Sequence, residues 1–316
     1  VRGGLAIGTV GICALMGAMV GLSGAAVVTM GTIALPAMLE RGYNKEMALG
    51  AINAGGGFAV LLPPSILMIL YGLITGVSVG KMFAAGILPG LLLVVLVSLY
   101  IAIRCYLQPE MGPALPKEER SDWGERFRSL RSVILPIIVV LMVLGSIMAG
   151  IATPTESAAV GVLGALISAA VHRTLSWEII RTSAIRTLRL TAMIMWILFA
   201  AHAFSAAYSA MGAQSLISGL MEHIPGGPWG TIIFMMAVLF FLGMVLDPVG
   251  IMLITLPVFL PIVTELGFDP IWFGILFIIN MEISYMTPPF GFNLFYLKGV
   301  VPPHITMGDI YRSVIP

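Results

Sequence analysis

Charge is what this sequence has least of. Asp, Glu, Lys and Arg make up 10% of its 316 residues, against about 25% in a soluble domain. With 59% hydrophobic residues and a mean hydropathy of +1.04, the chain belongs in a bilayer. Its apolar runs are continuous rather than alternating, which predicts membrane helices and excludes a β-barrel. A net charge of +1, with no basic aromatic patch, leaves nothing for a nucleic-acid partner. The two cysteines, Cys13 and Cys105, stand alone in apolar surroundings and read as unpaired structural residues. The chain contains no His-Glu-x-x-His, no Gly-x-Ser-x-Gly and no Gly-x-x-x-x-Gly-Lys-Ser/Thr. An intramembrane hydrolase and a pump carrying its own ATP site are therefore excluded, and no organic cofactor is called for.

What is present is proline inside apolar runs. Met286-Thr287-Pro288-Pro289-Phe290-Gly291-Phe292-Asn293 interrupts the run Trp272 to Leu297, and Leu61-Leu62-Pro63-Pro64-Ser65 makes a second break. Each Pro-Pro pair removes two backbone donors and clashes with the preceding turn, so the helix must break there. Broken backbone at membrane depth is tolerated only in protein or against a wet cavity. There its carbonyls can hold a cation and its half-helix N-terminus can face an anion.

The two breaks are repeat mates. At an offset of about 225 residues, without a gap, Met19-Val20 falls on Met244-Val245, Leu35-Pro36 on Leu260-Pro261, Glu40 on Glu265, Gly42 on Gly267, Pro63-Pro64 on Pro288-Pro289 and Tyr71 on Tyr296. The first unit, 1–108, is predicted to hold a re-entrant hairpin over 4–40 with its tip at Ser23-Gly24. A broken helix over 47–76 and a span over 82–107 complete it. A basic cytoplasmic loop, 109–131, follows. The second unit, 132–316, is predicted to hold spans 132–151, 155–171 and 190–213, a re-entrant hairpin 228–265 with its tip at Asp247-Pro248, a broken helix 270–298 and the start of a last span. The Arg104–Arg131 and His172–Arg189 stretches fall on one side by the positive-inside rule, and the two hairpins then enter from opposite sides. This is the inverted repeat of a secondary transporter. Three spans precede the second hairpin and none the first. The repeat therefore predicts a further segment of about 95 residues before Val1.

Gly55-Gly56-Gly57-Phe58-Ala59-Val60-Leu61-Leu62-Pro63-Pro64-Ser65 with Tyr71-Gly72, then Ala152-Thr153-Pro154-Thr155-Glu156-Ser157-Ala158, then Asp269-Pro270-Ile271-Trp272-Phe273-Gly274 leading to Thr287-Pro288-Pro289-Phe290-Gly291-Phe292-Asn293 form a pattern. It closely resembles the large membrane subunit of tripartite ATP-independent periplasmic (TRAP) transporters, from Arg2 to Pro316. The resemblance implies an all-α, multi-pass inner-membrane symporter with two re-entrant hairpins and two discontinuous helices, moving its substrate domain as an elevator with Na+ as coupling ion. It implies an organic-acid substrate delivered by a periplasmic binding protein, and a small four-helix membrane subunit as partner. The alternative is a stand-alone sodium/anion symporter of related hairpin architecture. Many family members have a second serine after the first-tip Ser-Gly, where this chain has Ala25.

The candidate sodium and substrate residues are Ser23, Gly24, Asn53, Pro63, Pro64, Ser65, Asp247, Thr287, Pro288, Pro289, Gly291 and Asn293, with Na+ expected at Ser23, Ser65, Asp247 and Thr287 alongside backbone carbonyls. Each has a plainer reading. Ser23 and Gly24 could serve close helix packing, Asp247 could cap the helix that Pro248 opens, and Asn53 could bond between helices. Glu282 reads equally as site support or as half of a structural pair, Glu156 as a helix-start carboxylate, and His202 and His223 as structural histidines.

Overall fold

The structure, a computed structural model, describes residues 2–114, 123–212, 219 and 224–316. Lys117, Arg120, His223 and residue 213 of the expected span lie outside these. The described residues form helices α1 (Gly4–Val20), α2 (Ser23–Glu40), α3 (Lys45–Gly57), α4 (Ile66–Thr75), α5 (Val79–Leu107), α6 (Trp123–Met148), α7 (Pro154–Val171), α8 (Trp177–Ala210), α9 (Gly227–Gly243), α10 (Pro248–Glu265), α11 (Pro270–Tyr285), α12 (Phe292–Lys298) and α13 (Met307–Ser313). Five of them are long and apolar enough to cross a membrane. Leu88, Leu163 and Phe199 are among the large apolar side chains on the outer face of this group, where a bilayer would cover them.

Local chemistry sets the starts. Asn44 caps α3, accepting from the amides of Glu46 and Met47 at 2.8 and 3.2 Å. Asp247 and Asp269 cap α10 and α11, each with proline as the first helical residue, where its missing N–H costs nothing. Thr153 and Glu156 close a capping box on α7. Pro63-Pro64 and Pro288-Pro289, each a cis bond, supply the two breaks. A 3₁₀ turn, Phe58–Val60, winds down α3, with the amides of Leu61 and Leu62 both donating to the Phe58 carbonyl.

Corresponding helices of the two units start about 225 residues apart, and the units interlock. The short α4 of the first packs against α10 and α11 of the second, and the short α12 of the second packs against α2 and α3 of the first. One apolar cluster accordingly joins Tyr71 and Phe83 to Phe273, Phe277 and Met281. The other joins Cys13, Val27, Leu35 and Ile52 to Leu294 and Leu297. The Tyr71 hydroxyl ties the units directly, donating to the Pro270 carbonyl at 2.6 Å.

Three boundaries differ from expectation. The first hairpin turns at Gly21-Leu22, not at Ser23-Gly24, which are already the first residues of α2. Gly21 takes the left-handed conformation, φ +67°, that glycine adopts without strain. Residues 123–131, expected as loop, begin α6, and residues 177–189 begin the 34-residue α8. Arginine, glutamate and leucine are good helix formers. Basic residues fix which side a segment occupies, not whether it is coiled. At about 1.5 Å per residue, α8 exceeds the apolar core of a bilayer, so its basic first part extends beyond it.

Candidate functional site

The two hairpin turns face each other across a cavity of about 400 Å³, lined by Gly21, Ser23, Gly24, Asp247, Tyr285 and Tyr296 among others. They differ electrostatically. The residue before α2 is Leu22, with no side-chain cap, so the first amides of that helix have no side-chain acceptor. Ser23 is 5% exposed, and among the described residues its hydroxyl has no partner. On the second turn, one oxygen of Asp247, Oδ2, accepts from the amides of Val249 and Gly250 at 3.0 and 3.3 Å. Its other oxygen carries no hydrogen bond from the described residues. The cavity is thus bounded by a positive helix end on one side and a half-used carboxylate on the other.

Small residues make this approach possible. A Cβ on Gly21 would stand 2.9 Å from the Pro64 carbonyl oxygen, and one on Gly24 would stand 2.7 Å from Tyr296 Cε2. The first turn is therefore seated on the first break and against an aromatic ring of α12. At the second break Gly291, φ +36°, lies where the carbonyl oxygens of Tyr285 and Thr287 converge, 2.8 and 3.0 Å from a Cβ built there. Among the described residues neither carbonyl accepts a hydrogen bond. Hard oxygens without donors suit an alkali cation.

The other candidates are placed as follows. Ser65 is fully buried and donates to the Val60 carbonyl at 2.5 Å. Pro63 and Pro64 form the break beside the first turn. Thr287 donates to the Ile283 carbonyl at 2.7 Å. It lines a different cavity, of about 300 Å³, with Glu46, Arg104 and Met286, so Thr287 and Ser23 do not share one cavity. Pro288 and Pro289 span the second break, where the Pro289 carbonyl accepts from the Tyr311 hydroxyl at 2.6 Å. Asn53 and Asn293 are fully buried, and among the described residues neither amide has a partner for its oxygen or its nitrogen. Each orphaned amide is costly to bury alone, which favours an ion or water at both. Sequence reasoning passed over Tyr285, Phe292 and Tyr296 as cavity walls. The signal was available in the aromatic pair Phe292 and Tyr296, four apart on one face of α12.

Outside the membrane-spanning helices, Lys45 Nζ lies 2.7 Å from Asp309 Oδ1, fastening α13 to α3. This contact, together with the amide and hydroxyl of Thr306 at 2.8 Å, holds the Asp309 carboxyl well below its ordinary range.

The family model for the tripartite ATP-independent periplasmic transporter, DctM component, matches residues 1–316. The C4-dicarboxylate TRAP transporter large permease protein of Pseudomonas aeruginosa is 35% identical over 319 residues, covering 100% of this chain and 73% of that protein. The ectoine/5-hydroxyectoine large permease protein of Ruegeria pomeroyi is 36% identical over 297 residues, covering 93% and 68%. The isethionate TRAP transporter permease protein DctMQ of Oleidesulfovibrio alaskensis is 30% identical over 315 residues, covering 99% of this chain and 49% of its own length. With its apolar helices and paired helix breaks, the chain belongs to the DctM family: it is a large permease subunit of a TRAP transporter, a multi-pass inner-membrane protein and not an enzyme.

Proposed function

We propose that the chain forms the translocation pathway of a sodium-coupled importer of small organic acids, loaded by a periplasmic binding protein and braced by a small membrane subunit. The observation that carries this reading is the cavity between the two hairpin turns, with the uncapped α2 N-terminus on one wall and the free oxygen of Asp247 on the other. A substrate carboxylate accepts from the amides that follow Leu22 and from the Ser23 hydroxyl. Sodium takes the free Asp247 oxygen at one turn, and the carbonyls of Tyr285 and Thr287 with the lone pairs of the Thr287 hydroxyl at the second break. The Ser65 hydroxyl and the amides of Asn53 and Asn293 complete the oxygens near the first break and the α12 start. Without sodium these oxygens repel the anion, which couples the two fluxes. Transport then proceeds by an elevator movement of the hairpins and broken helices.

Two further features support these partners and substrates. One relative, named DctMQ, is a permease protein of which this chain spans about half, which accords with a second membrane component. The names of the relatives, C4-dicarboxylate, ectoine and isethionate permeases, accord with small polar organic solutes.

The test is uptake of labelled organic acids into proteoliposomes holding the complete subunit and its small membrane partner, under an inward sodium gradient, with and without the binding protein. Uptake is expected to need both. Sodium-driven uptake without the binding protein would shift the reading to a stand-alone symporter, and indifference to sodium would remove the cation assignments.

A further inference from the structure

Glu282 has no part in the reading above. It lies on α11 one turn before the second break, is 2% exposed, and its Oε2 has no hydrogen-bond partner among the described residues. At the repeat offset its counterpart is Gly57, and the two meet. A Cβ on Gly57 would stand 3.1 Å from Glu282 Cγ and 3.3 Å from Oε1. The carboxyl therefore fills the space a side chain of α3 would need, at the seam where the two broken helices cross.

Among the described residues no ion pair to Glu282 comes from the elements packed on α11. The helix α9 and the 3₁₀ turn carry no ionisable group. On α4 the Tyr71 hydroxyl is bonded to Pro270, at the far end of α11. On α3, Lys45 and Glu46 sit at the opposite end, with Lys45 held by Asp309. On α12, Lys298 donates to the Ile305 carbonyl, and Tyr296 faces the hairpin cavity. The ionisable groups of α10 are Asp247 and Glu265, at its two ends, and those of α11 itself are Asp269 and Tyr285. On α5, Lys81, Tyr100, Arg104, Cys105 and Tyr106 make no hydrogen bond or ion pair with Glu282 among the described residues. Arg104, Tyr100 and Glu46 instead line the cavity of about 300 Å³. Met286 also lines that cavity, and its Cε lies 3.5 Å from the Gly57 Cβ position that Glu282 crowds. Met286, one flexible side chain, thus borders both the cavity, which Arg104 also lines, and the Gly57 position beside the carboxyl.

We propose that Glu282 is a proton-exchanging group of the transport cycle. A bare carboxylate in an apolar seam without a counter-charge is far costlier than a neutral carboxyl. Glu282 therefore takes one proton from water in the cavity, past Met286. It holds the proton while the seam is closed and returns it to water when α3 and α11 separate. The ligand is the proton, and no other bond forms or breaks. This holds whether or not sodium is the coupling ion.

Two measurements on the complete subunit with its small membrane partner test the proposal. Infrared spectra at neutral pH are expected to show a protonated-carboxyl C=O band that shifts in deuterium oxide and is missing from Glu282→Gln. In proteoliposomes with equal sodium on both sides, and succinate and the binding protein as the probe, wild-type uptake is expected to change about tenfold between about pH 5.5 and about pH 8.5. Glu282→Gln is expected to be flat with pH, and Glu282→Asp to keep the dependence. Absence of the band overturns the proposal in the wild type alone, without reliance on any variant. A band accompanied by identical pH profiles in wild type and Glu282→Gln reduces Glu282 to a structural carboxyl and overturns it equally. Because sodium is balanced, loss of sodium coupling leaves both readouts interpretable.

Discussion

The cap that Asp247 forms on α10 and the sodium contact proposed for it can be separated by substitution. Its Oδ2 caps α10 through the amides of Val249 and Gly250, while its other oxygen is available to the hairpin cavity. We predict that Asp247→Asn keeps the cap, since asparagine is as good an N-cap as aspartate, and removes only the charge. Asp247→Ala removes both, and the lost cap should cost about 1 kcal/mol of stability. A unit charge about 4 Å from a cation is worth about 1 kcal/mol in water and about 4 kcal/mol near a protein surface. Asp247 is exposed, so a figure of about 1–2 kcal/mol is appropriate, equivalent to about a 5–30-fold change in an equilibrium. The half-saturating sodium concentration for uptake is therefore expected to rise about 5–30-fold in both variants, while the thermal midpoint in detergent falls only in Asp247→Ala. If sodium dependence were unchanged in Asp247→Asn while Asp247→Ala lost stability, Asp247 would be a cap and nothing more.

Other perturbations follow from contacts already described. Gly24→Ala drives a methyl into the Tyr296 ring and should cost about 1–3 kcal/mol. Thermal unfolding should show the loss, and Tyr296→Leu in the same chain should recover part of it; no recovery would refute the steric account. Tyr71→Phe deletes the bond to Pro270 between the two units, for an expected loss of about 1 kcal/mol; an unaltered melting temperature would contradict that linkage. Because the Asp309 carboxyl is held low by Lys45 and Thr306, its contribution is complete above its ordinary value of about 3.9 and is lost as pH falls below that through its folded value. Amide exchange in α13 should therefore accelerate in acid in the wild type but not in Asp309→Asn. Equal acid response in the two would show that α13 is held by other contacts.

The sequence was most informative where the chemistry is local. A Pro-Pro pair breaks a helix wherever it stands, so both discontinuities and the repeat that relates them could be read directly, as could the cap at Asp247 and the helix-start carboxylate Glu156. Local cues alone do not decide where a helix begins or a turn falls. The expected loop 109–131 includes Arg126 and Arg128, yet nothing in arginine chemistry interrupts a helix, and α6 begins at Trp123 and runs straight through them. The Gly21-Leu22-Ser23-Gly24 interruption marks the first hairpin turn, but the expected tip at Ser23-Gly24 lies two residues past the observed one, because the positive φ belongs to Gly21.

Composition, periodicity and proline placement by themselves determined that the chain is a helical membrane protein built from two related units with a broken helix in each. These properties depend on each residue and its near neighbours. Only the tertiary structure decided which candidate residues meet. It set Ser23 opposite Asp247 across one cavity and moved Thr287 to another, left Asn53 and Asn293 buried without partners among the described residues, and brought Glu282 against Gly57. Those juxtapositions arise because α4 and α12 each pack into the other repeat, an exchange between segments about 225 residues apart that no local pattern encodes.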